Sequence, residues 1–257
     1  MGPANVLNLN RFGRRTGKQM GTLGNLKRLG RKALLPWLTG YSNNDWYQSR
    51  LCFSQFGEDI GLIHLLGDEA GLKRTYVDVG AYDPVYLSNT YELYRRGWSG
   101  LVIDANPSVI ARYASRRPRD IAINAFVGDL CGSVDFSIFD ADMFSTLTSN
   151  IDSVPERWRK GERRISVRCV PLSDLLVESE IRDISLLNVD AEGCDLKVLQ
   201  SLDWDRWQPT VVCCEDHADD WTRSPTQTFL VEHGYSLCGR YGVTSIFNSR
   251  FNKRLKS

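Results

Sequence analysis

The sequence lacks several features that mark common classes of protein. No stretch of its 257 residues approaches the run of roughly 18 to 20 apolar residues that a membrane helix requires. The amino terminus lacks the apolar centre of a secretory signal, so we expect a cytoplasmic protein. The seven cysteines are odd in number and include no Cys-x-x-Cys pair, which favours buried free thiols over a disulfide framework or a zinc site.

Two signatures of phosphate-binding proteins are also missing. Gly80 is followed by Tyr82 and Pro84 rather than by the further glycines of a Gly-x-Gly-x-x-Gly turn. No Gly-x-x-x-x-Gly-Lys-Ser/Thr loop occurs anywhere in the chain. A pyrophosphate cofactor such as NAD is therefore poorly supported.

Acidic residues are absent from the start of the chain. The formal net charge is +1, yet the first forty residues carry eight Lys or Arg, and the first acid is Asp45. We divide the chain into a basic arm, residues 1–50, and a domain, residues 51–257. The arm is interpreted as a mobile solvated tail or as a tether to an anionic surface, either membrane lipid or nucleic acid. Contact with a membrane would be peripheral.

From Ser54 onward the hydrophobic pattern predicts an α/β domain. A capped helix starts at Ser54 and ends near Gly67 to Gly71. Strands are predicted at 75–79, 101–104, 121–127, 134–139, 165–170 and 184–189, and helices at 87–96, 109–116, 172–178 and 195–202. Segments 210–214, 226–233, 235–238 and 244–248 are expected to finish the sheet, with His233 in a helical pattern. This alternation, with crossovers long enough for parallel strands, favours a parallel sheet.

Residues 140–164 interrupt the alternation with a polar, charged segment. Its length is unusual for a connection inside a compact domain. We interpret it either as a substrate lid or as a disordered surface insertion.

Two acids end the first two predicted strands. Asp78 precedes Gly80 in the first strand-to-helix turn, where the absence of a side chain would let a ligand approach the backbone. Asp104 ends the second strand, where an acid in such folds accepts both hydroxyls of an adenosine ribose. A nucleoside cofactor without pyrophosphate fits both positions, and S-adenosylmethionine is such a cofactor.

Seven segments in the same order resemble the FkbM family of S-adenosylmethionine-dependent O-methyltransferases. They are 54–59, 76–81, 88–91, 96–100, 103–107, 188–193 and 202–204, which read SQFGED, YVDVGA, SNTY, RGWSG, IDANP, NVDAEG and LDW. The resemblance runs from about Ser54 to Asn248 and leaves out the basic arm. It implies a class I, Rossmann-like methyltransferase fold: a seven-stranded, mostly parallel sheet with one antiparallel strand near its end and helices on both faces.

The resemblance also implies a cofactor site. Asp78, Gly80 and Ala81 would flank the methionine portion, Asp104 would hold the ribose, Asn106 would lie beside the adenosine, Asn124 and Ala125 would lie near the adenine, and Gln55 and Glu58 would close over the methionine end. For Gln55 and Glu58, simple helix capping is an equal alternative.

Acids and a histidine follow the fourth and fifth strands of the implied sheet. Asp190 and Glu192 come after the fourth, and Glu215, Asp216 and His217 end or follow the fifth. One interpretation gives Asp190, Glu215 and Asp216 to Mg²⁺, an arrangement similar to that of metal-dependent macrolide-sugar O-methyltransferases. The other is metal-free, with His217 as the base and the acids orienting it or the acceptor. Asp190, Glu192 and His217 are the catalytic candidates.

The function expected from these observations is O-methylation of a hydroxyl on a glycan or sugar-containing metabolite. One alternative is a non-catalytic S-adenosylmethionine-binding or scaffold protein tethered by the arm. Another is RNA methylation, which only the arm favours, because the domain lacks an Asn-Pro-Pro-Tyr-type motif and is not basic. Nucleic acid is therefore not the expected partner.

Overall fold

The computed structural model describes residues 51–66, 72–129, 132–141, 145–218 and 220–249. The basic arm and the tail or tether predicted for it lie outside these residues. Within them, no helix combines the length and the hydropathy of a membrane span.

The main sheet contains seven of the strands that the described residues form. In chain order they are β1 (Thr75–Val79), β2 (Ser99–Asp104), β3 (Ile121–Asn124), β8 (Leu186–Val189), β9 (Val211–Glu215), β10 (Ser236–Tyr241) and β11 (Thr244–Asn248). Their spatial order is β10-β11-β9-β8-β1-β2-β3. The pairs from β9 to β3 are parallel, whereas β11 is antiparallel to both β9 and β10. The sheet is therefore mixed, and the carboxyl ends of β1, β2, β8 and β9 share one edge.

Helices pack on both faces of this sheet. They are α1 (Glu58–Leu66), α2 (Tyr91–Arg95), α3 (Pro107–Arg116), α4 (Leu172–Glu178), α5 (Asp195–Gln200) and α6 (Pro225–Glu232). Leu62, Leu93 and Val109 of α1 to α3 join the core around Tyr76, and Leu175, Val198 and Leu230 of α4 to α6 join the core around Val77. Because Tyr76 and Val77 are consecutive in β1, they point to opposite faces, each of which is covered by helices.

A second sheet was not predicted. It has the order β4-β7-β5-β6, from β4 (Phe126–Val127), β5 (Gly132–Ile138), β6 (Thr146–Leu147) and β7 (Arg163–Val170). The expected single strand 121–127 is wrong, because the chain leaves the main sheet after β3 and pairs Phe126 with Cys169 of β7. The expected parallel direction is also wrong for β5, which is antiparallel to β7. Residues 128–131 are too few for a parallel crossover, which needs about a dozen residues or more.

The described part of segment 140–164 is not a disordered insertion. It contributes β6, which pairs antiparallel with β5, and two 3₁₀ helices, Thr148–Ser153 and Glu156–Trp158. A hydrogen bond between the hydroxyls of Ser137 and Thr148, 2.9 Å long, ties it to β5. Closure of the segment as a lid stays a prediction.

Two other predicted elements need correction. The helix expected at 87–96 begins only at Tyr91, because Leu87 has a left-handed backbone with φ of 55°. Segment 226–233, expected to help finish the sheet, is the helix α6. The Ser224 hydroxyl caps it by accepting from the Gln227 amide at 3.0 Å, and Pro225 occupies the first turn.

Candidate active site

A cavity of about 360 Å³ opens where the carboxyl ends of the central strands meet. Eleven of the predicted site residues line it: Gln55, Glu58, Asp78, Gly80, Ala81, Asp104, Ala125, Asp190, Glu192, Glu215 and His217. Three others, Asn106, Asn124 and Asp216, do not. The acids of β1 and β2 therefore share one chamber with those that follow β8 and β9.

Gly80 joins the two halves of this chamber. Its φ is +76°, and a Cβ at this position would lie 1.7 Å from the carbonyl oxygen of Asp190. The predicted reason for glycine, close approach of a ligand to the backbone, is not what this contact shows. The absent side chain is needed because the turn after β1 lies directly against the turn after β8.

Asp78 is held rigidly at the end of β1. Its carboxylate is 2% exposed and accepts hydrogen bonds from the Thr90 hydroxyl at 2.5 Å and the Asn188 amide at 2.8 Å. Burial raises the pKa of Asp78, while Arg117 and these two hydrogen bonds oppose the rise. The hydrogen bonds fix the direction of the carboxylate.

Arg117 is the residue near this site that sequence reasoning missed. Its side chain is fully buried, and Nε donates to Asp120 at 2.6 Å. Nη1 donates to the Pro84 carbonyl and the Ser88 hydroxyl, both at 3.3 Å, and Nη2 donates to the Thr90 hydroxyl at 3.0 Å. The guanidinium also lies 5.0 to 5.3 Å from the ring centres of Tyr76, Tyr94 and Tyr113. Its ion pair with Asp120 is local, but its other partners come from distant segments, so the sequence does not show that it is buried.

Asp104 is held by backbone amides from two turns. One carboxylate oxygen accepts from the Asn106 amide at 2.7 Å, and the other accepts from the Tyr82 amide at 3.1 Å. Asn106 itself caps α3 by accepting from Ser108 N at 3.0 Å. The Asn124 amide donates to the carbonyls of Asp104 and Ala105, both at 2.9 Å. Asn106 and Asn124 thus lie behind Asp104 and support its turn.

Gln55 and Glu58 reach the cavity from the segment that enters α1. Glu58 is 1% exposed and accepts from the Phe56 amide at 2.8 Å, while Gln55 is exposed. The Ser54 hydroxyl accepts from the Asp59 amide at 3.2 Å, which is the capping contact. Glu58 therefore lines the cavity and also accepts a hydrogen bond within its own turn.

The acids at the other end of the chamber lie close together. His217 Nε2 is 3.0 Å from Glu215 Oε2, and the Asp195 carboxylate accepts from the Glu215 amide at 3.2 Å. Asp190 donates its backbone amide to Val79 at 2.9 Å, which fixes its turn against β1. Glu192 has a left-handed φ of 48° and an exposed side chain.

Crowding changes the acidity of this group. Burial, followed by repulsion from Glu215, raises the pKa of Asp190 well above its usual range. The same two causes raise the pKa of Glu192 to about 7, although its side chain reaches solvent, which screens the effect. They also raise the pKa of Asp195 to about 7. A carboxylate whose pKa is near 7 is suited to take up a proton at neutral pH.

The predicted Mg²⁺ ligands do not fit a common site. Asp216 does not line the cavity, and its carboxylate accepts from the Ala218 amide at 3.0 Å. Within the described ranges, no group of three or more His, Cys, Asp or Glu side chains is placed to hold a metal ion.

The second sheet supplies a wall that the sequence did not reveal. Phe126, Phe136, Thr146 and Leu147 line the cavity. The only sequence signal near them was the unusual length of segment 140–164. These residues lie on β4, β5 and β6, which belong to the sheet that was not predicted.

Comparisons with known proteins identify the family. The family model described as "Methyltransferase FkbM domain" matches residues 78–237, more than half of the chain. The chain belongs to this family. The matched residues include the cavity acids from Asp78 to Glu215 and also His217.

Other comparisons are weaker. Among solved structures, one similar chain is titled "delta-N METTL16 MTase domain", with 12% identity, a TM-score of 0.35 and coverage of 87% of this chain and 94% of that one. A likeness this low adds nothing to the assignment of function. A search of curated proteins finds no significant match.

Proposed function

We propose that this methyltransferase transfers the methyl group of S-adenosylmethionine to a hydroxyl of a glycan or sugar-containing metabolite. The observation that carries the proposal is the shared cavity. It brings Asp78 and Asp104, at the ends of β1 and β2, together with Asp190, Glu192 and His217 beyond β8 and β9. A donor and an acceptor can therefore meet between these two groups.

The residues of the first group, at the ends of β1 and β2, are suited to bind the methyl donor. Asp104 is a carboxylate fixed by two backbone amides at the end of β2, the position from which an acid accepts ribose hydroxyls. Asp78, Gly80, Ala81 and Glu58 line the neighbouring wall, where carboxylates suit the donor's positive groups. When bound, the donor supplies an electrophilic methyl group.

The second group handles the acceptor. Methyl transfer to a hydroxyl requires the oxygen to be held in line and its proton to be removed. Glu192 and the His217–Glu215 pair are the proposed proton acceptors, since they are accessible from the cavity. Asp190, whose raised pKa favours the protonated form, is proposed to orient the acceptor by donating a hydrogen bond.

Calorimetry and mass spectrometry test this proposal. The full chain should bind S-adenosylmethionine, and Asp104→Ala should weaken binding by at least tenfold. Incubation with the donor and a glycan panel should add 14 Da per methyl group, the mass of one CH₂ unit. Absence of donor binding, or unchanged affinity in Asp104→Ala, would show that the cofactor assignment is wrong.

We also propose a cytoplasmic location, with residues 1–50 making peripheral contact with anionic lipid. The support is the run of eight basic residues without an acid. Sedimentation with phosphatidylserine vesicles should be lost when residues 1–50 are removed. Equal sedimentation of the full and shortened chains would rule out the arm as a tether.

A further inference from the structure

Asn89 lines the cavity but has no part in the predicted site or in the reaction proposed above. Its side-chain Nδ2 donates to Asn188 Oδ1 at 3.0 Å and to Cys213 Sγ at 3.9 Å. Asn188 belongs to β8 and Cys213 to β9, so Asn89 lies on the other side of β1 from Asp104 in β2. If Asp104 holds the ribose, Asn89 is placed toward the amino-acid end of the donor.

The direction of the hydrogen bonds that reach Asn89 follows from Arg117, whose guanidinium can only donate. The Thr90 hydroxyl accepts from Arg117 at 3.0 Å, so it turns its own hydrogen to Asp78. The other carboxylate oxygen of Asp78 accepts from Asn188 Nδ2 at 2.8 Å. Asn188 is left with Oδ1, an acceptor, which takes the hydrogen bond from Asn89 Nδ2. The orientation of both side-chain amides is therefore fixed by this chain.

This orientation leaves the Oδ1 atom of Asn89 without a hydrogen-bond partner among the residues that the structure describes. Asn89 is half-buried, and its Oδ1 is not sealed from solvent, so the atom can contact a ligand in the cavity. An amide oxygen accepts hydrogen bonds and cannot donate them. Asn89 therefore favours a ligand group that carries hydrogens to donate.

The wall beside Asn89 also contains a carboxylate. The Ser88 amide donates to the Phe53 carbonyl at 3.0 Å, which holds the segment that enters α1 against the segment of Asn89. Glu58 and Asn89 both lie near Cys213: burial raises the pKa of the Cys213 thiol, and the charge of Glu58 adds to the rise. An amide oxygen and a carboxylate on neighbouring walls of one cavity suit an ammonium group.

The amino-acid end of the donor carries an ammonium, which only donates hydrogen bonds, and a carboxylate, which only accepts them. We propose that Asn89 is a cofactor-binding residue whose Oδ1 accepts a hydrogen bond from the ammonium of S-adenosylmethionine. This inference rests on the proposed function and adds a residue to its donor site. The contact fixes the end of the donor opposite to the ribose at Asp104, so the sulfonium methyl group between them is held in position for transfer.

Calorimetry on the full chain tests this contact with S-adenosylhomocysteine, which has the same amino-acid end as the donor, and with its deaminated analogue, in which hydrogen replaces the amino group. Asn89→Ala should weaken binding of S-adenosylhomocysteine roughly tenfold, because a hydrogen bond to a charged group is lost, and binding of the analogue less than about twofold. Asn150→Ala is the matched control and should leave both affinities unchanged. Asn150 is also half-buried with its amide 3.9 Å from a cysteine sulfur, but it does not line the cavity.

Asn89→Asp is the second variant, because it keeps the shape of the side chain and an acceptor oxygen. It should still bind S-adenosylhomocysteine more tightly than the deaminated analogue. The inference is overturned if Asn89→Ala weakens binding of the two ligands equally, as a merely structural role would, or weakens neither. Loss of the preference for the amine in Asn89→Asp also overturns it. A wild-type chain that binds neither ligand contradicts the proposed function instead, so the two failures are distinguishable.

Discussion

The carboxylates at the two ends of the cavity have different neighbouring charges and hydrogen bonds. At the end formed by β1, Asp78 accepts two side-chain hydrogen bonds and is linked through Thr90 to the buried Arg117. At the end formed by β8 and β9, burial raises the pKa values of Asp190 and Glu192 and repulsion from nearby acids adds to the rise, whereas at Asp78 the hydrogen bonds and Arg117 oppose it. We infer that the first end holds a ligand and that the second end transfers protons. Crowded carboxylates destabilise the folded protein, but their raised pKa values suit them to proton transfer.

We expect the largest effect on stability from replacing Arg117, which supports the first end of the cavity. Arg117→Met should lower the free energy of unfolding by about 3 to 5 kcal/mol, because it leaves the buried carboxylate of Asp120 without its charged partner. Urea denaturation measures this loss. Arg116→Met, at the exposed end of α3, is the control and should change stability little. If both variants unfold at the same urea concentration, Arg117 does not support the donor end.

The contact between the two ends is tested next at Gly80. Gly80→Ala should destabilise the protein by about 2 to 4 kcal/mol, from a strained φ and from collision with the Asp190 carbonyl. Gly97→Ala is the matched control. It also has a positive φ, +91°, but its Cβ would meet nothing within 4 Å. Equal losses in the two variants, measured by thermal unfolding, would mean that backbone strain alone requires glycine at position 80.

A smaller change in stability but a clear change in rate is expected at the second end. Asp190→Ala removes the hydrogen-bond donor that is proposed to orient the acceptor, and it also removes a group that is costly to bury beside other acids, so stability should change little. The rate of methyl transfer should fall roughly a hundredfold, while donor affinity changes little. Asp174→Ala, on the exposed side of α4, serves as the control. A destabilised Asp190→Ala with full activity would reverse the roles assigned to the two ends.

The difference between the ends also explains what the sequence could predict. Short apolar strands with Asp78, Asp104 and Asp190 at their carboxyl ends are local patterns, so the central strands were predicted from them. The family resemblance added Gln55, Glu58 and Ala125, which also line the cavity. Arg117 and the contact of Gly80 with Asp190 depend on residues far apart in the chain. The second sheet was missed because a run of apolar residues, 121–127, does not show where the chain changes sheets.

The smallest effect is expected at Asp216, which separates the metal-free interpretation from the metal-dependent one. Its carboxylate accepts from the Ala218 amide within its own turn, outside the cavity lining. Although Asp216 is buried, Asp216→Asn keeps an oxygen that can accept this bond, so methyl transfer should change less than about twofold. Activity should also survive EDTA. A hundredfold loss in Asp216→Asn, restored by added Mg²⁺, would instead show that Asp216 turns into the cavity to bind metal, and proton removal at the second end would then depend on that ion.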